Sequence, residues 1–92
     1  MQTDKTITKK FKGATLNITF KIPTALDAEK YIIKDAKNSD LVRAFVTKVD
    51  SEEIPTLRTA GDLLNMPGGN KICYDVAAAI VNETIVSDDE KN

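Results

Sequence analysis

The chain has no histidine and no tryptophan, one cysteine, Cys73, and aromatic residues at only 5%. Without histidine, the commonest general base and the commonest metal ligand are both missing, and most nucleophilic triads go with them. A lone cysteine cannot close an internal disulfide, and Cys73 sits in a helical pattern beside Tyr74 and Val76, so it is expected to be a packed core thiol. The longest apolar run, Val76 to Val81, falls far short of the roughly 20 residues a membrane-spanning helix requires. No basic segment followed by a long apolar stretch opens the sequence, and a cytoplasmic location is expected, with no membrane association.

Other functional signatures fail on spacing. Glu52-Glu53 and Asp88-Asp89-Glu90 are adjacent carboxylates without the alternating oxygen ligands and central glycine of a calcium loop. Pro67-Gly68-Gly69-Asn70-Lys71 places glycines before a lysine, but not at the spacing of a phosphate-binding loop. Neither an enzymatic activity nor a metal or cofactor site is therefore expected.

What remains is a globular composition, with 41% apolar and 29% charged residues in a chain of 92, enough for one aliphatic core and too little for two. Charge is unevenly spread. Residues 1–46 carry nine Lys/Arg against five Asp/Glu, and residues 47–92 carry four against nine. Such polarity favours oppositely charged partners or self-association, and a homo-oligomer is one expectation.

The strongest local signal is the alternation of Leu16, Ile18, Phe20 and Ile22 with Thr15, Asn17, Thr19 and Lys21, which reads as a half-buried strand. A preceding run from Lys5 to Phe11 is joined to it by Lys12-Gly13, a two-residue hairpin turn. That turn pairs Phe11 with Ala14, Lys9 with Leu16 and Ile7 with Ile18. The apolar members of both strands then share one face. Lys9 is the misfit there, and an inward-pointing lysine marks the first strand as an edge protected against indiscriminate pairing.

After Pro23, Thr24 and Asp27 form a capping-box pattern, predicting a helix with Leu26, Ile32, Ile33 and Ala36 as apolar positions and an end near Lys37 and Asn38. Ser39 is expected to cap a second segment in which Leu41, Val42, Phe45, Val46 and Val49 follow helical spacing. A third strand near residues 44–49 is the open alternative. An acidic loop from Asp50 to Leu57 follows, then a short helix capped by Thr59, a break at Met66-Pro67-Gly68-Gly69-Asn70, and a last helix built on Ile72, Val76, Ala79 and Ile80. The expected fold is α+β: an N-terminal β-hairpin packed on three or four helices, as one domain over residues 1–86, with an unstructured acidic tail at 87–92.

The order of Phe11-Lys12-Gly13, Ile18-Thr19-Phe20-Lys21-Ile22-Pro23-Thr24 and Ala60-Gly61-Asp62-Leu63-Leu64-Asn65-Met66-Pro67-Gly68-Gly69 resembles that of small tail assembly chaperones of long-tailed bacteriophages. The resemblance implies a protein that holds the tape-measure protein and recruits tail-tube subunits in the host bacterial cytoplasm, without staying in the virion. From the residues alone, Leu63, Leu64, Met66 and Pro67 are candidate docking residues, because a short helix and turn cannot easily cover them all. Ile7 and Lys9, on the predicted edge strand, are candidates for contact with an added chain. Two alternatives remain: a small nucleic-acid-binding regulator using the basic hairpin of Lys5, Lys9, Lys10, Lys12 and Lys21, and a structural component of the phage tail.

Overall fold

The computed structural model describes residues 3–32 and 36–89, with side chains through residue 84. Strands β1 (Asp4–Phe11) and β2 (Ala14–Lys21) form the hairpin in the register set by its turn, pairing Phe11 with Ala14, Lys9 with Leu16 and Ile7 with Ile18. Both turn residues lie at positive φ, Lys12 at 48° and Gly13 at 87°. This is the type I′ arrangement, whose twist matches that of the flanking strands.

Helix α1 (Ala25–Asp27) begins at the expected capping box: Thr24 N–H donates to Asp27 Oδ2 at 3.0 Å, and Asp27 N–H to Thr24 Oγ1 at 3.2 Å. It then widens into a π-helical turn over Ala28–Ile32, marked by a bond from Ala36 N–H to the Tyr31 carbonyl. The expected uninterrupted α-helix is not what forms, and its phase is lost: Leu26 is 75% exposed. Tyr31 instead meets Phe45 edge-on, with ring centroids 5.3 Å apart. Ile33 lies outside the described residues.

Helix α2 (Asn38–Phe45) is followed directly by strand β3 (Val46–Asp50), so the helical and extended readings of this segment each hold for part of it. The helix buries Leu41, Val42 and Phe45. Val46 and Val49 stand three apart, a spacing that would place them on opposite faces of a regular strand. A bulge corrects this. Phe20 pairs with Val46 but Thr19 with Lys48, which leaves Thr47 as the extra residue and turns both valines inward. Ser39 is not the cap: Lys37 holds the N-cap position, without a side-chain bond.

Helix α3 (Ala60–Leu64) carries a second capping box, from Thr59 and Asp62, and helix α4 (Asn70–Asp89) completes the chain. Its backbone remains helical through Asp89, into the stretch expected to be an unstructured tail from residue 87. No proline or glycine interrupts Asn70 to Asp89, so propagation meets no breaker. Residues 90–92 lie outside the described residues.

The sheet order is β1-β2-β3, antiparallel throughout, which makes the most apolar strand the central one. Leu16, Ile18 and Phe20 are fully buried, as are Val42, Leu63, Val76 and Ile80 from the helices that cover this face. The opposite face is polar, with Thr6 against Thr19 and Thr8 against Asn17 joined by hydrogen bonds of 2.8 and 2.9 Å. No described helix is long and apolar enough to cross a membrane.

A Cβ added at Gly13 would meet nothing within 4 Å, so a substitution there reports backbone strain alone. Gly13→Ala is expected to lower unfolding free energy by about 1–2 kcal/mol, and Gly13→Asn by less, because asparagine tolerates the left-handed region. Urea midpoints at unchanged m-values check this.

Candidate docking surface

The hairpin tip, the loop after β3 and the turn between α3 and α4 meet around an open groove of about 500 Å³. Phe11, Ile54, Met66 and Pro67 are among its apolar lining, and Lys12 and Asp62 are also part of it. Phe11 reaches it as the last inward-facing residue of β1, next to the turn. Lys12 lies over the Phe11 ring, with Nζ 5.3 Å from the centroid, and its ammonium would stand 3.5 Å from a Cβ placed on Gly68. The positive φ of Gly68, 75°, therefore turns the chain where the lysine approaches.

Hydrogen bonds fix the loop that carries Ile54. Val49 N–H donates to the Arg58 carbonyl at 2.9 Å, extending beyond β3, and Leu57 N–H to the Ile54 carbonyl at 3.0 Å. Glu53 clips the loop to β2: Thr15 N–H donates to its Oε1 at 3.1 Å, near the end of β2 that β3 does not reach. That bond is the chief cause holding the Glu53 carboxyl below its ordinary range. Asp62 is held low in the same way, first by Arg58 N–H and then by Thr59 N–H, at 3.0 and 3.1 Å. The groove therefore carries a fixed negative charge on Asp62 and a cation on Lys12.

The four candidate docking residues do not act as one patch. Leu63 is fully buried in the core, where α3 packs against α2, β3 and α4, and is therefore not a surface residue. Leu64 is half-buried and lines a second depression of about 460 Å³, shared with Lys37, Asn38 and Cys73. Met66 borders both hollows, and Pro67 is exposed beside the first. Burial raises the Cys73 pKa above its usual value, and the thiol lies 3.9 Å from the Leu63 carbonyl. Among the described residues, no group of three His, Cys, Asp or Glu side chains comes together as a metal site.

Ile7 and Lys9 lie half-buried on the inward face of β1, at the edge of the sheet and apart from the groove lining. Lys5 shares that face and forms an ion pair with Glu83 of α4, with Nζ 2.6 Å from Oε2. The register of the hairpin already places Lys5 on this face, two residues before Ile7; its partner, 78 residues away, leaves no local signal. Phe11 and Ile54 escaped the sequence reading as groove residues because each looks like an ordinary core position until the hairpin tip and the loop come together. The hairpin cations are divided: Lys5 and Lys9 face inward, Lys10 donates to Thr15 on the outer face, and Lys12 turns to the groove.

Searches among protein-family models, curated proteins and solved structures found no match to this chain.

Asp27, Glu53 and Asp62 all have lowered carboxyl pKa values, so their contribution to stability is present above the unfolded values and is lost as pH falls through the folded ones. Melting temperature is expected to be level above about pH 5 and to decline below about pH 4. Asp62→Asn lowers the plateau, and its difference from wild type shrinks on the acid side, as thermal melts across this range would show.

Proposed function

We propose that this chain is a non-enzymatic protein-binding module, and that it acts as a phage tail assembly chaperone holding a segment of the tape-measure protein and recruiting tail-tube subunits. The observation that carries the binding reading is the open groove of Phe11, Ile54, Met66 and Pro67 at the hairpin tip. Its volume falls in the range of about 300–1,000 Å³ found for binding pockets. Removing apolar surface from water there contributes roughly 25 cal/mol per Å². Methionine adds a side chain that adapts to differently shaped anchors.

The occupant that fits is an amphipathic helical segment whose apolar side chains enter the groove, with its polar flanks meeting Lys12 and Asp62. Such recognition needs no histidine, nucleophile or cofactor. A holder that releases its cargo also benefits from a shallow, open site, since partner exchange is governed mainly by dissociation rate. The choice of the tape-measure protein rests on the likeness of layout to tail assembly chaperones. The division of the hairpin cations over different surfaces gives less support to a nucleic-acid-binding regulator, which works best with one continuous cationic track.

Titration of tape-measure fragments against the purified chain tests both halves of the proposal. Wild type is expected to bind at least one fragment, Met66→Asp to bind it about tenfold or more weakly, and Leu26→Ser, at an exposed position outside the groove, to bind as wild type does. Circular dichroism establishes that the variants are folded. Fragment binding that is indifferent to Met66→Asp contradicts the groove. Failure of every fragment, or salt-sensitive binding to nucleic acid in their place, contradicts the chaperone assignment.

A further inference from the structure

The outer edge of β1 offers a second binding surface, independent of the groove. In a two-residue hairpin the residues flanking the turn form a hydrogen-bonded pair, and bonded pairs then recur at every second residue. Phe11 with Ala14 is that first pair, and the bond from Ile22 N–H to the Thr3 carbonyl, at 2.8 Å, shows the same phase at the far end of the strand. Lys5, Ile7, Lys9 and Phe11 thus turn their backbone groups toward β2. Asp4, Thr6, Thr8 and Lys10 turn theirs away from it, and among the described residues these outward groups have no backbone partner. The other sheet edge differs, since the Arg58 carbonyl already engages Val49 of β3.

We infer that this edge pairs with β1 of a second copy of the chain, antiparallel about a two-fold axis at Ile7, to make one continuous sheet across a dimer. The charge pattern of the strand selects both the occupant and the register. With Ile7 opposite Ile7, the outward-bonding residues fall opposite one another as Asp4 with Lys10, Thr6 with Thr8, Thr8 with Thr6 and Lys10 with Asp4. Each is a narrow pair able to exchange both of its backbone bonds, and the two end pairs match opposite charges on the polar face of the sheet.

On the inward face the same register sets Lys9 opposite Lys5 of the second copy. That lysine is already held by Glu83 at 2.6 Å, so the Glu83 carboxylate supplies a counter-ion for the incoming Lys9 as well. A shift of two residues in one direction places Lys9 opposite Ile7, and in the other direction opposite Thr3. Either shift also separates Asp4 from Lys10. The two Asp4–Lys10 pairs, which neither shift keeps, therefore select this register.

Edge pairing of a single strand is a small interface, so association is expected to depend on concentration and to weaken with salt. Sedimentation equilibrium of the full chain, over a range from low micromolar to millimolar, should show a monomer–dimer transition. Asp4→Lys and Lys10→Asp should each weaken it about tenfold, by placing like charges opposite one another, and the double exchange should restore it. Thr8→Pro removes one outward N–H and the side-chain bond to Asn17 but no backbone bond to β2; it should abolish the dimer, whereas Thr8→Val, which loses only the side-chain bond, should keep it, with retained circular dichroism establishing the fold of both. A chain that stays monomeric throughout overturns the proposal. So does a dimer that survives both charge reversals, or one that the double exchange fails to restore.

Discussion

The inward face of β2 is the surface on which the rest of the molecule depends. Leu16, Ile18 and Phe20 are fully buried there, β1 and β3 pair on either side, and helices from the remainder of the chain cover them. Because side chains alternate along a strand, a one-residue slip in pairing would move all three to the solvent face. The Lys12-Gly13 turn prevents that slip by fixing which residues oppose one another. The bulge at Thr47 does the matching task for β3, bringing Val46 and Val49 into phase with this face.

The hairpin was legible in the sequence because its determinants are local: a two-residue turn with glycine and a strict alternation that agrees with it. The capping boxes at Thr24 and Thr59 were legible for the same reason, since each is closed within four residues. Legibility ended where tertiary contacts chose between local options. Leu41, Val42, Phe45, Val46 and Val49 keep helical spacing although the chain changes from helix to strand at Val46, because the bulge imitates the phase of a helix over those few residues. Neither the π-helical turn over Ala28–Ile32 nor the exposure of Leu26 carries a sequence mark of its own.

The candidate sites divide along the same line. Ile7 and Lys9 on an edge strand followed from the turn register and the inward-pointing lysine together, and the structure places them there. The cluster at Leu63, Leu64, Met66 and Pro67 was only half legible. A five-residue helix shows too little periodicity to tell which of two adjacent leucines faces the core, and burial selects Leu63. The groove joins residues from three separate parts of the chain, so no single segment announces it. Glu53 and Glu83 carry structural bonds to strands far away in sequence, where a local reading sees only solvated acids.

Both proposed surfaces belong to the hairpin: its tip forms part of the groove, and its first strand presents the open edge. A single turn thus positions both the side chains of the groove and the open backbone groups of the edge. Site-resolved amide hydrogen exchange along β1 tests this dependence most directly. In dilute solution the account predicts alternation, with the amides of Lys5, Ile7 and Lys9 protected by β2 and those of Thr6, Thr8 and Lys10 exchanging freely; raising the concentration should protect the second set. Equal protection of both sets in the dilute monomer, or an inverted alternation, would contradict it.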